Sequence, residues 1–195
     1  MSQFFDSSGE VIPVTYIEAG PCWVIQVKDE GQDGYNAIQL GFGLKKNVSK
    51  PLQGHFKKSG KLPLYLQEIR IPEEVKDLKV GDEIRVNQFA VGDKVNVIGV
   101  AKAKGFSGAI KRHGFKSHPA SHGHPRERRV GSIGSMYPQR VLPGKKMAGR
   151  KGPTRITALN LEIIKIDPQK NLLIVKGSVP GVPGGLLVIK ERGNG

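Results

Sequence analysis

Between Lys102 and Arg155 the chain carries fourteen Lys and Arg residues against one acid, Glu127, and only ten large apolar side chains in 54 positions. Those ten keep no sustained period of 2 or 3.6, so the segment has no continuous apolar face to lay against a neighbour. Alone it buries too little surface to offset the entropy of ordering its own backbone. A core must therefore come from the flanks, and the segment is expected to be mobile until a partner orders it.

The charge is confined in the same way. Almost all of the net +14 sits in this one segment, and the rest of the chain balances seventeen basic residues against sixteen acidic ones. A basic probe on a near-neutral body points to a polyanion. Nucleic acid leads, because distributed Lys and Arg neutralise a lattice of phosphates and release condensed counterions. A membrane surface fits less well: no apolar run approaches the ~18 residues that span a bilayer, and the basic segment lacks an amphipathic face. The N-terminus shows neither a basic n-region nor an apolar h-region, and the single cysteine, Cys22, cannot form an internal disulfide. A cytoplasmic protein is expected.

The flanks have β character. Val11 to Ile17 and Cys22 to Val27 are rich in β-branched and aromatic residues, with Ala19-Gly20-Pro21 between them, which predicts a hairpin. Ala37 to Phe42 and Leu64 to Ile71 continue the pattern, the latter closed by Pro72. Residues 49 to 59 suggest a short polar helix or irregular connection ending near Gly60. Val80 to Val86 and Val91 to Val100 each place a Gly-Asp turn before an alternating strand, the rhythm of a small antiparallel barrel. Past the basic segment the pattern returns at Ile156 to Ile166, Leu172 to Lys176 and Leu186 to Lys190. The expectation is a mainly β protein in which one discontinuous domain, residues 1–101 and 156–195, carries a basic insertion, residues 102–155. If that insertion runs out and back, each arm of ~27 residues reaches at most ~80 to 90 Å, at ~3.3 Å per residue.

The residues expected to bind RNA are the basic set: Lys102, Lys104, Lys111, Arg112, Lys116, Arg126, Arg128, Arg129, Arg140, Lys145, Lys146, Arg150, Lys151 and Arg155. Arginine forks two phosphate oxygens and lysine acts as a point charge, so the mixture suits an irregular phosphate surface. A solvated charged linker is the bland alternative, against which stands the near absence of acids. His113, His118, His122 and His124 fall within twelve positions. Without cysteine, and with a Pro/Gly-rich backbone that gives no helical register, they suit base stacking or phosphate contact better than a metal, and no metal or cofactor is expected. Phe106 and Phe115 could stack on bases or pack at the insertion's base. Ser121 and Ser132 lack a nucleophile-elbow context, no Gly-Lys-Ser/Thr occurs, and Cys22 beside Trp23 reads as a small core residue. Catalysis and a small-molecule substrate are not expected.

Four stretches inside the insertion carry a resemblance: Lys104-Gly105-Phe106-Ser107-Gly108, Lys111-Arg112-His113-Gly114-Phe115, Gly131-Ser132-Ile133-Gly134 and Pro143-Gly144-Lys145-Lys146-Met147-Ala148-Gly149. Together with Ile12-Pro13-Val14-Thr15-Tyr16-Ile17-Glu18, Gly54-His55-Phe56 and Asn171-Leu172-Leu173-Ile174-Val175-Lys176-Gly177 in the body, they resemble the bacterial form of the universal third protein of the large ribosomal subunit. The resemblance implies a β-barrel of the translation-protein type at the subunit surface and an inserted loop that threads inward. It further implies that Gly134, Ser135, Met136, Tyr137, Pro138, Gln139 and Arg140 form a tip near the peptidyl transferase centre. The implied partners are large-subunit ribosomal RNA and neighbouring large-subunit proteins, and the implied role is structural, including early subunit assembly. Members usually carry a further N-terminal stretch with a first strand before the residue that is Met1 here. Gln139 does not align with the glutamine that some members methylate, so that modification is not carried over. The rival reading is a nonspecific basic RNA- or DNA-binding chaperone.

Overall fold

A computed structural model of the chain describes residues 1–6, 8–71 and 78–192. The protein is mainly β, as expected. Its strands are β1 (Ser2–Phe5), β2 (Val11–Glu18), β3 (Cys22–Lys28), β4 (Ala37–Leu44), β5 (Pro63–Arg70), β6 (Glu83–Ile84), β7 (Lys94–Val100), β8 (Phe106–Ser107), β9 (Gly149–Arg150), β10 (Arg155–Asp167), β11 (Leu172–Lys176) and β12 (Leu187–Glu191). Among the described residues three short α-helices join them: α1 (Glu30–Asp33), α2 (Lys50–Phe56) and α3 (Ala109–His113). The larger sheet runs β1-β2-β11-β10-β7-β12, a second runs β5-β4-β3-β6, and β8 pairs with β9 alone.

Two sequence expectations are corrected here. The stretches β2 and β3 do not form a hairpin: β2 pairs antiparallel with β1 and β11, whereas β3 pairs with β4 and β6 in the other sheet. Residues 19 to 21 carry the chain from one sheet into another, and the Ala19 N–H goes to the Asn171 carbonyl at 2.9 Å. A closed barrel is also not found. Among the described residues the sheets end at β1 and β12 and at β5 and β6, with no ladder joining those edges. The edge strand beside β2 is Ser2–Phe5. Pro72, expected to close β5, lies outside the described residues.

The chain divides into two compact units: Met1–Val95 with Asn160–Ser178 and Glu191–Gly195, and Asn96–Leu159 with Val179–Lys190. The first unit holds most of the core. Val14, Val24, Val86, Val95, Ile163, Leu173 and Val175 are fully buried, and the run Leu173-Ile174-Val175 is buried throughout, as a strand covered on both faces must be. Strand β2 is locked to β11 by side chain as well as ladder: Thr15 Oγ1 donates to the Gly177 carbonyl at 2.7 Å, and the Gly177 N–H donates to Pro13 O at 2.8 Å.

The two Gly-Asp turns prove to be the same device used twice. The Gly81 N–H donates to Val24 O (2.8 Å) and the Val24 N–H returns to Asp82 O (2.9 Å); Gly92 and Asp93 make the same exchange with Ile163, at 2.8 and 2.9 Å. Each Asp carboxylate accepts the N–H three residues back, Lys79 at 2.7 Å and Ala90 at 2.8 Å. The register of β3 shifts between Val24 and Gln26, and that of β10 between Ile163 and Lys165. Each turn thus pairs the N–H and C=O of its strand residue on the side away from that register shift. Both glycines have positive φ, +100° and +93°, a conformation that an L side chain rarely adopts. Only the second turn leads into a full strand, the alternately buried β7; after the first, β6 has two residues and Val86–Gln88 form a 3-10 turn.

Candidate nucleic-acid interface

The basic segment belongs to the second unit, and its two legs are zipped at the base. The Ala101 N–H donates to Thr154 O (2.8 Å), Lys104 N–H to Lys151 O (2.9 Å), and Lys151 N–H to Gly105 O (2.9 Å). The pairs Phe106 with Arg150 and Ser107 with Gly149 extend the ladder. Then α3 turns the chain. It starts after Gly108 and stops at Gly114, whose φ of +73° lets its N–H cap Ile110 O at 2.8 Å. Ala109 at its start and Ser107 of β8 are buried.

Side chains staple the helix to the returning leg. Arg112 Nη1 donates to the Met147 carbonyl at 2.9 Å, and His113 Nε2 lies 3.0 Å from the same oxygen, which assigns the ring proton to Nε2. The Lys151 ammonium donates to Lys111 O. A Cβ on Gly149 would sit 2.5 Å from Arg112 Nη1, so the absent side chain makes room for the guanidinium. Gly152, at φ +73°, likewise lets the legs close: its Cβ would meet Lys102 O at 3.1 Å.

Beyond the staple, residues 114–148 form neither helix nor strand. Their hydrogen bonds are mostly local: Arg129 N–H to Arg126 O, Ser132 Oγ to Gly134 O, Arg140 N–H to Pro138 O, Lys145 N–H to Leu142 O. One spans a wider turn, His118 N–H to Glu127 O at 3.2 Å, beside the stacked rings of His118 and His124 with centroids 4.2 Å apart. Gly134, Ser135, Met136, Tyr137, Pro138, Gln139 and Arg140 are all exposed, Met136 at 89% and Tyr137 at 85%. Phe106 is exposed as well, whereas Phe115 is half-buried with its ring 6.0 Å from that of His113.

The fourteen cations fall into two groups. Arg112 and Lys151 are half-buried and donate to main-chain carbonyls within the base. Lys102, Lys104, Lys111, Lys116, Arg126, Arg128, Arg129, Arg140, Lys145, Lys146, Arg150 and Arg155 are exposed. The ion pairs Lys28–Glu68, Arg85–Glu83 and Lys176–Glu162 all lie outside the segment. The arrangement thus offers phosphate neutralisation from Lys and Arg and stacking faces from Phe106, Tyr137 and the histidines. Among the described residues no three His, Cys, Asp or Glu side chains gather as a metal site. The Cys22 thiol is half-buried, and burial pushes its pKa up, which disfavours the nucleophilic thiolate. No helix among the described residues is long and apolar enough to cross a membrane.

The anchoring role of Arg112, His113 and Lys151 was not legible in the sequence, since a carbonyl acceptor leaves no mark in composition. The other signal missed there is a run from Gly34 to Gln67 that contains six lysines and no acid. The balanced charge of the body concealed it.

The family model for ribosomal protein L3 matches residues 76–173. Over its whole length the chain is 54% identical to the large ribosomal subunit protein uL3 of Carboxydothermus hydrogenoformans, of which it covers 94%. It is 48% identical to the uL3 of Thermomicrobium roseum (97% of this chain, 89% of that protein) and 51% identical to that of Prochlorococcus marinus (98% and 90%).

Proposed function

The chain belongs to the ribosomal protein L3 family, and from that premise we propose that the segment from Lys102 to Arg155 is an extension that binds large-subunit ribosomal RNA and is ordered by it. The protein is a structural, non-enzymatic component of the large subunit of the cytoplasmic ribosome. One observation carries the proposal: a hydrogen-bonded base holds out a stretch whose exposed cations have no acidic counterpart but Glu127. Exposed cations of one sign repel each other, and a phosphate backbone relieves that repulsion while releasing counterions. The neighbours of such a stretch in the subunit are RNA and other large-subunit proteins.

Within the extension the roles divide. Arg112, His113 and Lys151 fix the angle at which it leaves the base. Arg126, Arg128, Arg129, Arg140, Lys145 and Lys146 contact converging RNA backbones, and Lys102, Lys104, Lys111, Lys116, Arg150 and Arg155 do so nearer the base. The tip from Gly134 to Arg140 lies near the peptidyl transferase centre and supports the RNA that performs the chemistry. By bridging RNA segments early, the extension aids subunit assembly.

The test compares the intact chain with a variant in which residues 116–145 are replaced by a short Gly-Ser linker, leaving the stapled base intact. Binding to large-subunit RNA and to an unrelated duplex is measured at several salt concentrations. Preference for the ribosomal RNA that survives raised salt and is lost in the variant is the expected result. Equal, salt-labile binding to both RNAs by the intact chain would instead identify a nonspecific basic chaperone.

A further inference from the structure

The acid-free run in the first unit folds into a defined object. Strand β4 ends at Leu44 and β5 begins at Pro63, and the Lys45 N–H donates to Leu62 O at 2.9 Å, closing the residues between into a loop with joined ends. Phe56, 2% exposed, pins this loop into a cluster with Trp23 and Ile25, against which Val48 and Leu62 pack. Internal hydrogen bonds hold the helix and its exit: Gln53 N–H to Ser49 O, Gln53 Nε2 to Val48 O, Gly60 N–H to Phe56 O and Ser59 Oγ to Phe56 O. His55 Nε2 meets Gln39 Oε1 at 2.7 Å. A connection of this length between paired strands is unusual unless it serves a function, and this one is anchored at its ends and its middle.

On that frame Lys45, Lys46, Lys50, Lys57, Lys58 and Lys61 are all exposed. Loop closure gathers Lys45, Lys46 and Lys61 at the neck, although Lys45 and Lys61 are far apart in sequence. Lys50 opens α2 and Lys57 caps it seven positions on, so both lie on the side of Gly54, beside which nothing lies within 4 Å. The Lys61 ammonium sits 5.6 Å from the centre of the Trp23 ring, which steadies its stem. The acids that balance the body's charge all lie elsewhere, none between Asp33 and Glu68. An ordinary solvated face intersperses both signs. This one presents a single sign on a preformed support, so a phosphate backbone can be met without first ordering the loop.

We propose that the Lys45–Lys61 loop is a second RNA-backbone contact, separate from the extension and made by the first unit. The proposal rests on the reading of the chain as an RNA-bound ribosomal component. The occupant is RNA phosphate, approached through lysine point charges without base readout, since the loop holds no arginine and no exposed Phe, Tyr or Trp, and its exposed His55 ring is engaged by Gln39.

Two full-length variants test it against large-subunit RNA, K45Q/K46Q/K57Q/K58Q and R126Q/R128Q/R129Q. The first spares Lys61 so that the Trp23 cluster stays undisturbed, and both are checked by thermal melting. Each lost phosphate contact lowers the slope of log affinity against log salt by about 0.7 to 0.9, so the lysine variant is expected to lose about 3 units. It is also expected to lose a discrete set of backbone protections in hydroxyl-radical footprinting, while protections that depend on Arg126, Arg128 and Arg129 persist. The corresponding Lys→Arg variant should keep the wild-type slope. A lysine variant with wild-type slope and footprint overturns the proposal, and if it also fails to enter subunits the loop meets an acidic protein surface instead. A reduced slope in the lysine variant beside an unchanged arginine variant would sustain this contact and refute the one assigned to the extension.

Discussion

Lys28 in the body and Arg128 in the extension carry the same charge and lead opposite lives. The Lys28 ammonium is 2.8 Å from Glu68 Oε2 and donates to the Tyr35 hydroxyl at 2.7 Å; that hydroxyl donates in turn to Glu68 Oε1 at 2.8 Å. The carboxylate and the hydroxyl push the Lys28 pKa up, and Lys28 with Tyr35 pulls that of Glu68 below its usual range. Arg128 is exposed in a stretch whose only acid is its neighbour Glu127. A sheet that buries its apolar face can spend charges on its own surface pairs; a stretch with no apolar face keeps its charges for someone else. The difference teaches that stability and binding are separated along this chain, and each side can be attacked alone.

The largest effect should come from the core. Leu173 is fully buried in the central strand β11, and Leu173→Ala is expected to lower stability by about 2 to 5 kcal/mol, read by urea or thermal unfolding. The protein that remains folded should bind RNA with unchanged salt dependence. A parallel loss of binding by that folded fraction would break the separation. Next, replacement of residues 116–145 should reduce affinity for large-subunit RNA about tenfold or more while leaving the melting midpoint nearly where it was. A collapse of the melting curve would mean that the extension holds up the fold.

Arg112→Ala lies on the border between the two regions. It removes one of two contacts on the Met147 carbonyl and should cost about 1 kcal/mol, visible as faster amide exchange at Lys104 and Lys151 with little change in core amides. Equal acceleration in β11 would show that the base and the sheets open together. The smallest effect concerns Glu68. Its lowered pKa means that its contribution is present above the ordinary carboxylate value and is lost as pH falls through the folded-state value. Both partners are near the surface, so Glu68→Gln should slightly flatten the acid limb of the stability profile and leave RNA binding at neutral pH unaltered. A steepened acid limb would refute that sign.

Much of the fold was legible. The alternation in Lys94–Val100, the apolar run Leu172–Lys176 and the long strand Arg155–Asp167 were read close to their observed limits, because burial of one or both faces writes a period into the sequence. Residues 49 to 59 were expected to form a short polar helix or an irregular connection ending near Gly60; the structure makes Lys50–Phe56 the helix and follows it with a turn to Gly60, at φ +66°. The hairpin from β2 to β3 was misread because two adjacent strands with a Gly-Pro turn between them look the same whether they pair or part. The ladder that claims β2 comes from β11, more than 150 positions away. The interface was legible as a charge count and not as an arrangement. Nothing local says that Arg112 turns inward to Met147 while Arg128 stays out.

By itself the sequence determined which segments could bury a face, where the charge would accumulate, and which family the motifs resemble. These properties are local or additive, so they survive being read one residue at a time. The tertiary structure alone decided that β2 and β3 enter different sheets, that the two Gly-Asp turns pair with Val24 and Ile163, and that Lys45 and Lys61 meet at the neck of one loop. Each of those depends on which distant main-chain group takes up an otherwise unpaired donor or acceptor. Periodicity fixes the face a residue presents, and only closure of the whole hydrogen-bond network fixes its partner.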